Sequence, residues 1–388
     1  MVSSPLIGSS SLLPHIELGR YISFTMVFKL TVAFVALAGM AAAASVRRVP
    51  CPNSKNTAIN PACCVFYDLA DDLQENKFDN QCGEDAHEAL RLTFHDAIGF
   101  SASGKLKGTG ADGSIMIFNN TELQDPANDG VSDAVNNLKP LLMTHLVTAG
   151  DLIQFAGAVA VSNCPGAPKL EFLAGRPNAT FPVQQGTVPL PQDSSSKILA
   201  RMGDAGLSPQ DVINLLASHT VARSDTLVPN HQAVPFDSTP FTFDSQVFLE
   251  VLLKGTGVPF GVNNTDGAEV DSGIPDENEM RLQSDFALSR DPETACFWQD
   301  MIDNQSLMMN SFKTSMAKMA VLGHDPKKLI DCSEAIPTPK PPVGKRTTYP
   351  ATKSFKDIQQ VCKKPFPVLA TDPGSPTIIP EYADGQGQ

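Results

Sequence analysis

Positive charge and long apolar runs are what this sequence lacks. Its 29 Lys and Arg residues face 42 Asp and Glu residues, which gives a formal net charge of -13 over 388 residues. Such an acidic chain excludes non-specific binding to nucleic acid, whose phosphates would repel it. The one long apolar run, from Leu30 to Ala44, is too short for a comfortable membrane span, so we expect no membrane association. With 42% hydrophobic residues the chain can still build a large core.

The apolar run lies in an N-terminal leader. Met26-Val-Phe-Lys29 supplies a short basic start, and small residues follow the apolar segment, a pattern typical of a secretory signal peptide. The initiator is either Met26 or the first methionine, and the sequence leaves both open. Arg47-Arg48 resembles a dibasic processing site, so residues 1–48 are interpreted as leader, signal peptide and short propeptide. We therefore expect a secreted, extracellular protein.

The sequence also lacks alternating polar and apolar residues of useful strand length, and it has no internal repeats. Helical periodicity dominates instead, which predicts an all-α fold. We place two halves at 49–190 and 191–345, followed by a Pro-rich tail at 346–388. The predicted helices are Phe66–Glu75, Glu84–Asp96, Ser132–His145, Ala149–Val161, Asp193–Asp204, Ser208–Thr220, Ser245–Leu253, Met280–Asp291, Ala295–Val321 and Phe355–Cys362.

None of the eight cysteines lies in the CxxC spacing typical of zinc sites. Their even number, in a chain with a signal peptide, predicts disulfides instead. The sequence alone leaves their pairing open. Four glycosylation sequons fit a secreted glycoprotein, and their occupancy is not decided by sequence. They begin at Asn119, Asn178, Asn263 and Asn304.

One predicted helix carries a polar stripe. Two carboxylates, a guanidinium and an imidazole recur at helical spacing on one face, namely Glu84, Glu88, Arg91 and His95. Such a face is too polar for a core, so we expect it to line a cleft in which chemistry takes place. A zincin motif starting at His87 is excluded, because its second histidine would stand at position 91, which is Arg.

Two motifs resemble those of the secreted fungal haem peroxidases of the plant-peroxidase superfamily. Arg91-Leu-Thr-Phe-His-Asp96 resembles the distal helix of that family. Leu216-Ala-Ser-His-Thr-Val-Ala-Arg223 resembles its proximal haem-ligand segment. The resemblance covers nearly the whole mature chain, from about position 51 to about position 367.

Within that family the chain is most similar to the manganese peroxidases, because Glu84, Glu88 and Asp225 match their cation ligands. No cysteine follows Cys362, so the tail resembles that of short members and is expected to leave the haem edge open to small phenols. Relatives that oxidise bulky non-phenolic aromatics carry an exposed Trp five residues before the haem-ligating His, where this chain has Asn214. The single Trp of the chain is expected in the core.

The resemblance implies a two-domain, plant-peroxidase-like helical fold, with one haem b between a distal half, 49–190, and a proximal half, 191–345. Hydrogen peroxide is then the oxidant, Mn(II) is oxidised to Mn(III), and small organic-acid chelators carry Mn(III) to lignin-derived phenols. A monomer is expected. The implied disulfides are Cys51–Cys64, Cys63–Cys332, Cys82–Cys164 and Cys296–Cys362.

Two other functions stay open. One is a versatile or generic peroxidase that oxidises small phenols directly. The other is a haem protein for binding or electron transfer, which Arg91 beside His95 disfavours. A binding protein gains nothing from a charge aimed at the O–O bond of peroxide.

On the proximal side, the resemblance makes His219 the axial iron ligand. By itself a histidine on the same helical face as Val212 and Leu215 is more often a core residue, and the matching segment reverses that interpretation. Asp285 is expected to accept a hydrogen bond from the other ring nitrogen, which raises the basicity of the ligand. The alternative for Asp285, a solvated carboxylate, fits its apolar neighbours poorly. Phe236 matches the aromatic wall on this side.

On the distal side, the resemblance assigns peroxide cleavage to His95 and Arg91. A neutral imidazole can accept the peroxide proton and return it, and a guanidinium stabilises the developing negative charge. Asn128, with Glu122 behind it, matches the residue that holds the histidine in the useful tautomer. Phe94 matches the distal aromatic wall.

Cation sites complete the expectation. Mn²⁺, as substrate ion, prefers carboxylate oxygens, which Glu84, Glu88 and Asp225 supply, and Arg223 is expected to pair with Glu84. The alternative is a solvated acidic helix end. Two structural Ca²⁺ ions are also implied, and loop turn chemistry is the alternative for their ligands. The distal calcium ligands are Asp96, Gly110, Asp112 and Ser114, and the proximal ones are Thr220, Asp237, Thr239, Thr242 and Asp244.

Overall fold

Helices provide most of the regular structure in the computed structural model, which describes residues 48–381 except Asn53, 263–265 and Lys345. The predicted signal peptide and the sequon at Asn263 lie outside the described residues. The predicted all-α class is confirmed. In chain order the α-helices are α1 Cys64–Asn76, α2 Glu84–Ala97, α3 Ser114–Ile117, α4 Asn119–Glu122, α5 Ser132–Leu138, α6 Leu141–His145, α7 Ala149–Ser162, α8 Ser195–Asp204, α9 Pro209–Leu215, α10 Gln246–Glu250, α11 Gln283–Leu288, α12 Ala295–Met301 and α13 Gln305–Met319.

Helix α2 packs most extensively against α7, whose residues are all buried. The two helices approach closely because Gly157 has no side chain: a Cβ atom there would lie 2.2 Å from Cγ2 of Thr93. Gln154 also donates a hydrogen bond from Nε2 to the Thr93 carbonyl oxygen at 3.2 Å. The polar stripe lies on the opposite side of α2 from Thr93, so this packing turns the stripe away from α7.

Helix α9 starts as its sequence predicts. The Ser208 hydroxyl accepts a hydrogen bond from the backbone N–H of Asp211 at 3.1 Å, and the Asp211 carboxylate accepts one from the N–H of Ser208 at 2.8 Å. The predicted helix to Thr220 is only partly correct, because the chain tightens into a 3₁₀ segment, Leu216–Val221. That segment, which carries His219, contacts α2.

Several other predicted helices are interrupted. The prediction for 132–145 is split into α5 and α6 around Pro140, which has no N–H to donate. The prediction for 295–321 is split into α12 and α13 at Asp303, whose φ of 56° is incompatible with a right-handed helix. The prediction for 355–362 is wrong beyond a 3₁₀ turn, Phe355–Asp357, because the N–H of Gln359 donates to the Leu252 carbonyl instead of to its own turn.

The strands are two-residue segments that pair antiparallel, and each lies outside the α-helices. The predicted helix at 280–291 is wrong at its start, because Arg281–Leu282 forms a strand, β7, and the helix α11 begins only at Gln283. The strands are β1 Val49–Pro50, β2 Thr57–Ala58, β3 Leu173–Ala174, β4 Arg223–Ser224, β5 Val234–Pro235, β6 Glu269–Val270, β7 Arg281–Leu282 and β8 Ile330–Asp331. The pairs are β1 with β2, β3 with β8, β4 with β5 and β6 with β7.

Disulfides tie the helices together. The structure contains the four bridges Cys51–Cys64, Cys63–Cys332, Cys82–Cys164 and Cys296–Cys362, the same pairs that the resemblance implies. The third bridge joins the start of α2 to the residues just after α7. Trp298 is fully buried, as expected, and its Nε1 donates to the Phe248 carbonyl at 2.8 Å.

Within residues 48–381, apart from the gaps named above, no single helix is both long and apolar enough to cross a membrane. By length and composition alone, a membrane span could be formed by residues 132–145 followed by residues 149–162, two segments that meet at a bend of 115°.

Candidate active site

The imidazole of His95 is held in one tautomer. Its Nδ1 lies 2.8 Å from Oδ1 of Asn128, and Nδ2 of that amide donates to the Glu122 carbonyl at 2.9 Å. Because the amide nitrogen is used by Glu122, the amide oxygen must face His95, and Nδ1 of His95 carries the proton. The other nitrogen, Nε2, is therefore left as the acceptor.

Arg91 lies one turn before His95 on α2, and its Nε donates to Nε2 of His95 at 3.1 Å. A second bond, from Nη2 to the Asp129 carbonyl at 2.8 Å, fixes the guanidinium. Burial and the neighbouring guanidinium lower the pKa of His95 to about 3, so the imidazole stays neutral in acid. Phe94 packs edge-on against the His95 ring, with centroids 5.6 Å apart.

A cleft opens beside this pair. Its lining includes His95, Glu122 and Asn128 together with residues between Val183 and Val188. Burial raises the pKa of the Glu122 carboxyl to about 7. Its Oε1 accepts a hydrogen bond from the N–H of Val183 at 2.9 Å.

His219 forms the proximal part of the site. Its Nδ1 lies 2.7 Å from Oδ2 of the buried Asp285, and Phe236 packs edge-on against the imidazole at 5.5 Å. Among the described residues, Nε2 of His219 has no hydrogen-bond partner, and 23% of the side chain is accessible.

These features fit a haem. The Arg91 side chain is exposed, and yet nearby protein atoms lower the pKa of its guanidinium by burial. Both are expected of a side chain that lines a cavity. A buried carboxylate on Nδ1 and a free, accessible Nε2 are what an iron-ligating imidazole requires. His95, Arg91 and His219 lie on contacting elements, α2 and the 3₁₀ segment, so one cavity can bring them to the same group.

Three carboxylates converge at the start of α2. Ligand oxygens of Glu84, Glu88 and Asp225 all lie within 4.8 Å of one another. The two glutamates stand one turn apart on α2, and Asp225 follows β4, where its Oδ1 accepts a hydrogen bond from the Ala233 N–H at 2.7 Å. This arrangement matches the predicted trio and is typical of a site for a hard cation.

Burial and neighbouring carboxylates raise the pKa of both glutamates of the trio. Burial, followed by the charges of Asp133 and Glu84, raises the pKa of Glu88 to about 8. Burial and the charge of Asp225 also raise the pKa of Glu84. A divalent cation would offset this mutual repulsion, because it favours the charged form of each carboxyl.

Arg223 is placed differently from the prediction that it pairs with Glu84. Its Nη1 donates to the Ala233 carbonyl and its Nη2 to the Pro380 carbonyl, both at 2.6 Å. Its guanidinium carbon lies 4.5 Å from the ring centroid of Phe241. Two backbone carbonyls and a ring therefore hold the guanidinium, and its charge acts on Glu84 without a direct hydrogen bond.

The C-terminal tail reaches this region. Ile379 is buried, and its N–H donates to the Glu277 carbonyl at 3.0 Å, just before the tail meets Arg223. The tail thus reaches Arg223, which lies two residues before Asp225.

Oxygen atoms gather at both predicted calcium positions. At the distal one, Oδ2 of Asp96 accepts from the Gly113 N–H at 3.0 Å, while the buried Oδ1 has no partner among the described residues. Asp112 accepts from the Ser114 N–H at 3.2 Å, and the Gly110 carbonyl accepts from the Asp112 N–H at 2.9 Å. An unpartnered buried carboxylate oxygen is what a bound cation would satisfy.

At the proximal position, Thr220 and Asp237 meet at 2.6 Å through Oγ1 and Oδ2. The Thr239 hydroxyl lies 3.0 Å from Oδ1 of Asp244, and the Thr242 carbonyl lies 3.5 Å from the Thr220 hydroxyl. Burial and the charge of Asp244 raise the pKa of Asp237 well above its usual range. These oxygens suit calcium, which would stabilise the ionised carboxylates.

The sequence did not reveal what holds Arg223. The Ala233 and Pro380 acceptors are backbone carbonyls, which no side-chain pattern marks. Phe241 stands between Thr239 and Thr242, and no pattern in the sequence marks its ring as a contact of Arg223. His87 completes no motif in the sequence, although it is buried beside Phe241.

Comparison with known families gives two matches along the chain. Residues 65–304 match the family described as Peroxidase. Residues 307–383 match the fungal peroxidase extension region. The second match covers the tail that reaches Arg223.

Individual relatives agree with these matches. The chain is 55% identical to manganese peroxidase H4 of Phanerodontia chrysosporium, over 93% of this chain and 97% of that protein. It is 51% identical to manganese peroxidase 2 of Phlebia radiata, over 92% and 93%. Versatile peroxidase VPS1 of Pleurotus eryngii is also 51% identical, over 86% and 91%.

Proposed function

The chain belongs to the peroxidase family, and from that premise we propose that it is a secreted manganese peroxidase that uses hydrogen peroxide to oxidise Mn²⁺ to Mn³⁺. The observation that carries the choice of substrate is the convergence of Glu84, Glu88 and Asp225 within 4.8 Å. The two manganese peroxidases named above support it by their similarity over nearly the whole chain.

Peroxide cleavage is the task of the distal pair. Haem, when bound, supplies the redox centre that takes the oxidising equivalents from peroxide. Nε2 of His95 accepts a proton from one peroxide oxygen and delivers it to the other, which leaves as water. Arg91 stabilises the negative charge that develops while the O–O bond breaks. A histidine with a pKa of about 3 is neutral, and so able to accept the proton, at pH values above that.

His219 would hold the iron through Nε2. Its Nδ1–H donates to Asp285, and this charge-assisted bond raises the electron-donating power of the imidazole. Phe94 on the distal side and Phe236 on the proximal side supply aromatic walls for one haem b. In this scheme the distal half, 49–190, and the proximal half, 191–345, each contribute one histidine.

Mn²⁺ enters as a substrate ion. The carboxylates of the trio bind it by replacing part of its hydration shell with anionic oxygens. After losing one electron the ion leaves with a small organic-acid chelator and oxidises lignin-derived phenols elsewhere. Two calcium ions, at the distal and proximal positions, hold the neighbouring histidines in place. The enzyme acts as an extracellular monomer.

The test compares two carboxylate variants of the full-length enzyme. Glu84→Gln/Glu88→Gln/Asp225→Asn should abolish Mn²⁺ turnover and leave the rate of reaction with peroxide near that of the wild type. Asp85→Asn is the matched control, since Asp85 lies on the same turn of α2 but hydrogen-bonds Asn137. Its Mn²⁺ kinetics should be close to normal. Survival of Mn²⁺ oxidation in the triple variant would show that the site is elsewhere.

Direct oxidation of phenols is the second candidate, favoured by the 51% identity to a versatile peroxidase. It predicts turnover of small phenols with peroxide in the complete absence of manganese. Stopped-flow rates with Mn²⁺, small phenols and non-phenolic aromatics separate the two functions.

A further inference from the structure

One carboxylate of the trio lies on a loop, whereas the other two lie on a helix. The loop, residues 225–233, joins β4 to β5, and Asp225 is its first residue. Oδ1 of Asp225 accepts a hydrogen bond from the N–H of Ala233, the last residue of the loop, at 2.7 Å. The orientation of this carboxylate therefore depends on the backbone of Ala233.

That backbone has an unfavourable conformation. Ala233 has a φ of 53°, in the left-handed region that residues with a Cβ atom avoid. Asn230, in the same loop, has a φ of 63°, which asparagine tolerates better than alanine does. Alanine keeps such a conformation only where the surrounding structure holds it there. The end of the loop must therefore be held by contacts with another part of the chain.

A stacked pair of rings provides such a contact. The imidazole of His231, two residues before Ala233, lies on the ring of Phe260 with centroids 3.6 Å apart and an angle of 10° between the planes. Phe260 belongs to a separate 3₁₀ turn, Pro259–Gly261, and has a φ of 56°. The stack thus joins the loop, just before the N–H donor, to a turn that is distant in sequence.

The two ends of the loop are anchored differently. Val228 is buried in a small apolar cluster that also contains Phe236, and its carbonyl accepts from the N–H of His231 at 3.1 Å. The side chains between Val228 and Ala233, except His231, are exposed. The His231 ring is therefore left to anchor the second half of the loop.

We propose that Phe260, through its stack with His231, is a positioning residue for Asp225, because it holds the loop where the Ala233 N–H meets the carboxylate. This inference rests on the proposed function, in which Asp225 binds Mn²⁺. Without the stack, residues 231–233 can relax to a right-handed or extended backbone, which turns the N–H of Ala233 away from Asp225. A carboxylate that is no longer held in place loses conformational freedom when it binds the ion, so the affinity for Mn²⁺ should fall. Peroxide cleavage at His95 does not use the loop and should be unaffected.

The experiment uses full-length, haem-loaded enzyme with Phe260→Ala, which removes the stack, and Phe260→Tyr, which keeps an aromatic face. We expect Phe260→Ala to raise KM for Mn²⁺ by about two- to twelvefold, the range for loss of one aromatic pair. The equilibrium Kd for Mn²⁺, titrated by electron paramagnetic resonance on the resting enzyme, should rise in parallel. Phe260→Tyr should resemble the wild type, and the rate with peroxide should be unchanged in both.

Phe355→Ala is the matched control. Phe355 is also an exposed phenylalanine packed against a ring, that of Phe366 at 5.4 Å, but it lies in the C-terminal tail. Its KM and Kd for Mn²⁺ should be those of the wild type. A rise in KM as large as that of Phe260→Ala would show a general effect of losing a surface ring and would overturn the proposal.

Two further changes separate positioning from general support. His231→Ala should raise KM as much as Phe260→Ala, and the double variant should be no worse than either, because both changes break the same contact. In the Phe260→Ala background, Ala233→Gly should recover part of the lost affinity, because glycine adopts a positive φ without steric cost. Additive effects in the first pair, or no recovery in the second, would contradict the proposal, and so would an unchanged KM in Phe260→Ala.

The test stays decisive if one variant is lost. If Phe260→Ala fails to fold, His231→Ala replaces it, and it must show the same rise in KM and the same recovery with Ala233→Gly. A wild type without Mn²⁺ oxidation would refute the proposed function itself, whereas unaffected variants of an active wild type refute only this inference.

Discussion

Asn128 determines which nitrogen of His95 carries the proton. The amide oxygen of Asn128 lies 2.8 Å from Nδ1 of His95, and its amide nitrogen is held by the Glu122 carbonyl at 2.9 Å. The amide cannot turn over without losing both bonds, so Nε2 is kept as the free base. The active tautomer therefore depends on the 3₁₀ turn Pro126–Asn128, which carries the amide, and not on α2 alone.

Replacing that amide should slow peroxide cleavage. In Asn128→Val the imidazole loses its tautomer preference, and we expect the rate constant for reaction with peroxide to fall about 10- to 100-fold, as is typical when the partner of a functional histidine is removed. Stopped-flow spectroscopy measures it. Asn137→Val, a change to a half-buried amide on α5 that bonds Asp85, is the control and should react normally. An unchanged rate for Asn128→Val would show that Asn128 does not set the tautomer of His95.

Loss of the base itself should be more severe. His95→Leu leaves Arg91 without a group that can relay the proton, so the rate with peroxide should drop by roughly 10²–10⁴-fold. The Mn²⁺ dissociation constant should stay near that of the wild type, because the trio lies at the other end of α2. A variant that still reacts rapidly with peroxide contradicts the assignment of His95.

Binding of Mn²⁺ should strengthen as pH rises. The pKa of Glu88 is raised to about 8, so the ion-free carboxyl is protonated in acid and Mn²⁺ must displace that proton. Affinity should therefore increase with pH up to that value, by at most about tenfold per pH unit, and level off above it. Mn²⁺ titrations of the resting enzyme check this. The slope should be reduced in Glu88→Gln, and a flat wild-type profile would show that Glu88 is already ionised.

Removing calcium should disable the enzyme without touching its haem ligands. Asp96 and Thr220 follow His95 and His219 directly, so empty sites let both histidines shift. Chelation should lower the melting temperature and the peroxidase activity together, by the linkage between binding and folding. Added Ca²⁺ should restore both, whereas Mg²⁺ should not, because it demands a smaller and more regular shell. Full activity of a verified calcium-free enzyme would argue against structural calcium.

Direct oxidation of veratryl alcohol without manganese should be negligible. The position of the surface Trp is Asn214 here, which is buried and donates to Oγ of Ser315 at 3.0 Å. Asn214→Trp should gain some activity, but its ring must displace Ser315, at a cost of about 1–3 kcal/mol in unfolding free energy. Asn214→Phe is the control, with similar bulk and no oxidisable indole. Efficient wild-type turnover would favour the versatile-peroxidase alternative.

Local features of the chain were predictable from the sequence. The stripe that includes Glu84 and His95 follows from helical periodicity, and the start of α9 follows from the capping chemistry of Ser208. In both, successive residues are at most four positions apart, and over that distance backbone geometry alone decides which side chains are neighbours. The resemblance supplied the wider assignments, including the disulfide pairs seen in the structure.

Tertiary structure decided what depends on distant parts of the chain. The observed helices end earlier than predicted at Pro140 and at Asp303, whose backbone conformations interrupt them. Gln359 is not helical, because its N–H donates to a carbonyl more than a hundred residues away in sequence. Asp225 follows β4, and its carboxylate accepts a hydrogen bond from Ala233, just before the paired strand β5, at the place where it meets the glutamates of α2. Arg223 is held by two backbone carbonyls and a ring. Every residue has a backbone carbonyl, so the sequence cannot show which ones accept hydrogen bonds from Arg223. Periodicity thus specified which side chains α2 presents, and long-range packing specified what they face.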